Sequence, residues 1–203
     1  MTYLKKLNVL VAIFGLFIFG NANAVVIDFD DLADGTSLTT QYSSLGAVFT
    51  GFEDSREIAP EVRNQEYISV PQSSPNYLTN FFNYPSTSTS DRLDEIRISF
   101  LAPASDISFY LNTASTNTIT VDIFAFDGSL IQTVGLTGSG TDNVFHSLTD
   151  TNVGRISMYQ PSDGWWWSMD TLSYEIADIP EPATLALMGL GLAGIGWKRR
   201  KAA

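Results

Sequence analysis

The chain has 203 residues, with 22 acidic against 11 basic side chains, one histidine and no cysteine, for a formal net charge of −11. Without cysteine there is no disulfide, so stability must rest on the core or on a bound ion. The excess of acids argues against nucleic acid and anionic lipid headgroups as partners of the main body, because their phosphates would be repelled.

The first 24 residues read as a secretory leader. Lys5 and Lys6 form a basic start, Leu7 to Gly20 is an apolar helical core, and Ala22-Asn23-Ala24 is an A-x-A cleavage site. Cleavage after Ala24 leaves Val25 as the first mature residue. The expected route is export through the Sec machinery. A retained anchor helix is the alternative.

Residues 25–178 are the expected folded domain, of ordinary single-domain size. They carry 21 acids and only five cations, Arg56, Arg63, Arg92, Arg97 and Arg155. Four of the acids, Asp28, Asp30, Asp31 and Asp34, cluster at the opening, and Asp170 lies on the last predicted strand. First and last strands of a jelly roll are often neighbours, so Asp28, Asp30, Asp31 and Asp170 are candidate ligands for a structural calcium ion, which takes about six to eight oxygens in irregular geometry. No EF-hand loop is present. Turn and capping aspartates are the competing interpretation.

Strand signals follow in order. Val25–Phe29, Ala47–Phe52, Ile96–Leu101 and Ile107–Leu111 are short runs of apolar and β-branched residues. Ile96, Ile98 and Phe100 alternate with Arg97 and Ser99, and Ile107, Phe109 and Leu111 alternate with Ser108 and Tyr110. This period of two sends one set inward, along with Val121, Ile123 and Leu172. Ala102 to Asp106 reads as a turn between two strands. Thr118–Phe126 precedes an Asp127-Gly128 hairpin and Leu130–Val134. Phe145–Leu148, Arg155–Tyr159 and Trp167–Ile176 complete the set. The segment from Glu53 to Ser90, with its Ser86-to-Ser90 low-complexity run, is expected to be long loops. No helical period is sustained, so the expected class is all-β: a β-sandwich of jelly-roll form, flanked by a signal-peptide helix and a C-terminal transmembrane helix.

Chemistry is sparse. His146 is the one histidine, no G-x-S-x-G elbow occurs, and a single histidine without thiols argues against a zinc site. Gly189, Gly191 and Gly194 spell GxGxxG, but no strand precedes them and no acid follows at the needed distance. Trp165-Trp166-Trp167 suggests a binding face. Consecutive strand residues face opposite ways, so all three rings cannot enter one core, and an exposed indole can stack on a sugar. Tyr159 is expected at the rim of that site. Edge-of-core packing is the alternative.

Two patches, IDFDDLADGTSLTTQYSSLGAVFTGF and WSMDTLSYE, are similar to the ends of exported bacterial jelly-roll domains, carbohydrate-binding modules among them. They indicate architecture and not ligand.

The tail, residues 179–203, has three parts. Pro180-Glu181-Pro182 stops the preceding structure and lets a helix begin. Ala183 to Trp197 is an apolar run of fifteen residues, about 22 Å as a helix against a hydrocarbon core of about 30 Å. Lys198, Arg199, Arg200 and Lys201 then hold the end on the cytoplasmic side. This order resembles the PEP-CTERM sorting signal of Gram-negative bacteria that make extracellular polysaccharide. The resemblance implies an exosortase, a membrane-embedded transpeptidase-like enzyme, as partner. Pro180, Glu181 and Pro182 would be its recognition residues, and the tail would be removed near them. A plain C-terminal anchor is the alternative.

The expected protein is thus held briefly in the inner membrane with its domain in the periplasm, then delivered to the cell surface or the extracellular matrix. It is expected to be non-catalytic, to have exopolysaccharide as its ligand, and to bind no nucleic acid. The alternative is an extracellular polysaccharide hydrolase using a carboxylate pair.

Overall fold

Residues 23–64, 72–80, 92–160 and 166–176 are described by the computed structural model, all within one unit, Ala22–Ala177. Ala22, Trp165, the Pro180-Glu181-Pro182 motif, the basic end Lys198 to Lys201 and both expected terminal helices lie outside the described residues.

The period-two pattern becomes antiparallel strands: β1 (Asn23–Ile27), β2 (Ala47–Glu53), β3 (Arg56–Ile58), β4 (Glu61–Asn64), β5 (Asn76–Thr79), β6 (Glu95–Thr113), β7 (Thr118–Ala125), β8 (Leu130–Thr137), β9 (Val144–Leu148), β10 (Val153–Tyr159) and β11 (Trp167–Ile176). Two sheets form. In the first, β6 pairs through its N-terminal half with β2 and β10, β10 pairs with β7, and β7 with β8. In the second, its C-terminal half pairs with β9 and β11, and β11 also takes β1 and β5. Consecutive strands pair directly only at β2–β3, β4–β5 and β7–β8; the other connections cross between the sheets, which is the jelly-roll character of this all-β sandwich. No helix among the described residues is long and apolar enough to cross a membrane.

Strand β6 joins the two layers. Its 19 residues would span about 60 Å if straight, whereas a domain of this size has a radius of gyration of only about 15 Å. The strand therefore bends. Up to Ala104 the even-numbered residues are buried; from Ile107 the odd-numbered ones are. Ser105 and Asp106 absorb the change, with Asp106 at φ +50°. An extra residue at a corner reverses facing parity, so both halves present apolar side chains to one core. The expected turn at Ala102 to Asp106 is thus a bend within a continuous strand.

All nine residues expected inward are buried, from Ile96 at 0% exposure to Phe100 at 4%. Phe29, Tyr42 and Phe49 meet edge to face with centroids 5.8 to 6.2 Å apart, and Tyr174 packs on Phe100 and donates its hydroxyl to the Leu45 carbonyl at 2.8 Å. Gly46 closes the turn before β2 at φ +89°, where a Cβ would come within 2.3 Å of Ile176 Cδ1. In the segment expected as long loops, β3, β4 and β5 form instead; burial of Val62, Tyr77 and Leu78 supplies the reason.

Candidate functional site

Three places bear the residues singled out from sequence. The first is the corner where β1 meets β11, with Ala24 opposite Glu175 and Val25 opposite Tyr174. The loop after β1 brings its aspartates to the start of β11. Asp170 is 3% exposed. It accepts hydrogen bonds from the Ser73 N–H at 2.8 Å, the Ser73 hydroxyl at 2.9 Å and the Thr171 N–H at 2.6 Å. Burial pushes its carboxyl above the usual range; those hydrogen bonds oppose the shift and the charge of Asp30 adds to it. Asp30 caps the Asn76 N–H at 2.8 Å, Asp28 caps that of Asp30 at 3.2 Å, and Asp31 receives the Tyr42 hydroxyl. The expected convergence of first and last strands is present. The carboxylates tie loops together, and among the described residues no three of them lie close enough to hold one metal ion.

The second place is the tryptophan run. Trp167 is 0% exposed and packs in the core, so its ring offers no face to a ligand, which corrects the expectation for this residue. Trp167 pairs with buried Thr113 of β6, and Ser168, Met169 and Asp170 beside it are buried as well, so this end of β11 is covered on both faces. Its indole N–H has no hydrogen-bond partner. Trp166 is half-buried at the strand's edge, its carbonyl taking the Ala114 N–H at 3.0 Å. His146 on β9 is half-buried, its ring nitrogen 3.1 Å from the Thr137 carbonyl, and burial lowers its pKa. Among the described residues no nucleophilic side chain is hydrogen-bonded to it.

The third place holds Tyr159. On the outward face of the first sheet, cross-strand register aligns Arg97, Ser157, Asp122 and Thr133 in one row. Glu95, Tyr159 and Thr120 form the next row on one side, and Ser99, Arg155 and Phe124 the next on the other. Of these, Glu95, Arg97, Asp122, Phe124, Arg155, Ser157 and Tyr159 line a cleft of about 430 Å³ that reaches Asp94 and Gln160. A second hollow of about 230 Å³ continues it past Phe124 and Arg155 toward Gly154 and Phe126. From Gly154 to Gln160 the floor runs about 20 Å along β10.

The charges in this cleft are mostly occupied. Glu95 holds Arg97 through both oxygens, at 2.6 and 2.9 Å, and the Arg97 guanidinium lies 4.0 Å over Phe52. Asp122 accepts from the Thr133 and Tyr159 hydroxyls. Burial, then the charge of Asp122, raises the Tyr159 pKa, so this phenol stays a neutral donor. Three polar atoms have no partner: Ser157 Oγ, Arg155 Nε and Gln160 Oε1. Ser157 is only 3% exposed. Buried polar atoms without partners are uncommon and costly, and at the floor of an open cleft they are groups ready for a ligand. Sequence reasoning named Tyr159, but as the rim of a tryptophan site that this cleft does not include, and missed the rest. The available signal was parity, since Arg97, Asp122, Arg155 and Ser157 all fall on outward positions of adjoining strands.

Residues 178–201 match the family model of the PEP-CTERM protein-sorting motif, so the chain carries that motif at its C-terminal end. The motif marks an exported protein that passes through a membrane-anchored intermediate and is processed by an exosortase. No curated protein matches the chain. Among solved structures it is similar to the CBM36-1 domain of a multidomain xylanase from the hindgut metagenome of Trinervitermes trinervoides, at 13% identity and TM-score 0.37, over 77% of this chain and 100% of that one. It is also similar to TmCBM61 in complex with β-1,4-galactotriose, at 13% identity and TM-score 0.39, over 68% and 96%. The D114A mutant of CBM29-2, a family 29 carbohydrate-binding module, aligns at 10% identity and TM-score 0.40, over 80% and 99%. At such low TM-scores the resemblance decides nothing about ligand or activity.

Proposed function

We propose that this is an exosortase-sorted protein of the cell surface or extracellular matrix, non-catalytic, which binds exopolysaccharide in the cleft over β6, β7 and β10. One observation carries the choice of site: the unpartnered Ser157 Oγ, Arg155 Nε and Gln160 Oε1 line the same cleft as Phe124 and Tyr159. Hydroxyl-rich sugars supply both donors and acceptors to such groups, and aromatic rings supply an apolar floor. The hydrolase reading is less well supported, because Glu95 is locked to Arg97 and Asp122 to two hydroxyls. A carboxylate held in this way is poorly placed to shuttle a proton.

The test is retention of the full-length protein, in mild detergent, on a panel of immobilised polysaccharides including the host's own. Wild-type protein should bind at least one polymer without shortening it. Tyr159→Ala should weaken that binding about tenfold, as expected for a lost contact of about 1.4 kcal/mol. Retention on no polymer, or release of sugar fragments, would contradict the proposal.

A structural calcium ion at the β1–β11 corner is a second reading, favoured by one observation. The Ser73 hydroxyl lies 2.9 Å from the Asp170 carboxylate and 3.3 Å from the Asp28 carbonyl, so hard oxygen atoms of two elements converge there. This donor chemistry suits calcium. The Asp170 carboxylate and the Asp28 carbonyl would hold the ion, with further carbonyls and water completing it, and the ion would offset the repulsion between Asp30 and Asp170. Chelation should then lower the melting temperature by several degrees, the equivalent of about 2.7 kcal/mol at a hundred times Kd. An identical melting curve in chelator and in millimolar calcium would leave these aspartates as turns and caps.

A further inference from the structure

We propose that the Arg155 end of the cleft seats a carboxylate, so that the polysaccharide recognised is one bearing uronic acid residues. This rests on the reading of the cleft as a polysaccharide site and names the class of sugar it takes.

The argument starts from scarcity. Between Val25 and Asp178 there are 21 acids and five arginines. Arg56, Arg63 and Arg97 each pair with a nearby glutamate. Arg155 forms no ion pair among the described residues, although Asp122 lines the same cleft. Its guanidinium lies 3.9 Å over the Phe124 ring, and its Nε is buried without a partner. Stacking on a ring holds the fork flat and leaves its donors to an incoming group.

The two ends of the cleft differ in charge. Asp94, Glu95 and Tyr159 line one end, and Asp122 and Arg97 stand in the row between it and Arg155. The hollow at the other is lined by Arg155 with Ser99, Phe100, Phe124, Phe126 and backbone-lined positions such as Gly154, and no carboxylate lines it. A Cβ at Gly154 would lie 2.5 Å from the Phe126 backbone, so β10 and the β7–β8 hairpin close on one another there. An acidic sugar would be repelled at the Asp94 and Glu95 end and accepted at the Arg155 end. A planar carboxylate matches the guanidinium fork with two parallel hydrogen bonds. The neighbouring Ser157 hydroxyl then takes a ring hydroxyl of the adjoining sugar, and the Gln160 carbonyl one of a sugar farther along the cleft. The chain thus reads an acidic residue at one position and neutral hydroxyls beside it.

The experiment measures affinity of the full-length protein for three soluble probes: a polyuronate, the same polymer after reduction of its carboxyls to alcohols, and a sulfated glycan. Wild-type protein should bind the polyuronate about tenfold to a hundredfold more tightly than its reduced form, the range set by hydrogen bonds to a charged group. Arg155→Gln should abolish that preference while retaining the weaker binding to the reduced polymer. Arg155→Lys should keep part of the preference, because it keeps the charge and loses the fork. The wild-type comparison of polymers needs no variant, so it decides even if Arg155→Gln fails to fold. Equal affinity for polyuronate and reduced polymer, or stronger binding of the sulfated glycan, overturns the carboxylate assignment; loss on Tyr159→Ala would still uphold the cleft. Polysaccharide binding that neither Tyr159→Ala nor Arg155→Gln alters overturns the cleft reading and this inference with it.

Discussion

Trp167→Ala should destabilise the protein by about 3–5 kcal/mol, the usual cost of emptying a buried tryptophan site. For a domain of this size that is a fall in melting temperature of about 6–20 °C. The ring is fully buried and its strand neighbours Ser168 and Met169 are buried too, so the cavity has little means of collapsing. Trp167→Phe should cost less. It removes an indole N–H that has no partner, and an unsatisfied buried donor is itself worth about 1–3 kcal/mol. Thermal unfolding of the two variants checks both statements. Polysaccharide affinity, measured well below the transition, should be unchanged in Trp167→Phe, because this ring lies outside the cleft.

The second large effect concerns sorting. Glu181→Ala should leave the protein in the cell fraction with its tail attached, whereas wild-type protein in a strain with an active exosortase should be released without it. The physical basis is the short apolar run, whose helix would reach about 22 Å against a core of about 30 Å. It is stopped by four cations, each costing about 2.5–3.5 kcal/mol at the bilayer centre. Such a tail is held in place until a covalent cut frees the domain. Mass spectrometry of the released protein reads the outcome, and an intact tail on it would contradict exosortase processing.

Much of the fold was legible because strand parity is a local property. Ile96, Ile98 and Phe100 on one side of the bend, and Ile107, Phe109 and Leu111 on the other, announced two buried faces and a change of parity between them. Whether that change meant a turn or a corner depended on β10 and β11, which pair with the same strand from two sheets at Ala104. No local pattern contains that information. The same holds for β4 and β5, short strands whose burial comes from partners distant in sequence.

The site was less legible for a related reason. Tyr159 stood out as an aromatic near other aromatics, but its partners are set by register: Asp122 lies 37 residues away and reaches its hydroxyl at 3.2 Å. Trp167 misled because composition alone cannot tell which member of an aromatic run faces inward. Arg155 looked like any surface cation in sequence. Its significance appears only once the arginines paired with Glu53, Glu61 and Glu95 are set apart. First and last strands do pair as expected and bring the opening loop beside Asp170, linked to it through Ser73.

The most direct test of the central claim is hydrogen exchange of the full-length protein with and without a bound exopolysaccharide. A ligand lying over the first sheet should slow exchange in peptides from β10 and β7, residues 153–160 and 118–125, and in the adjoining half of β6. Peptides from β9 and from the start of β11 should be unaffected. Protection confined to the region around Trp166, or no protection at a saturating concentration of a polymer that binds, would contradict the placement of the site.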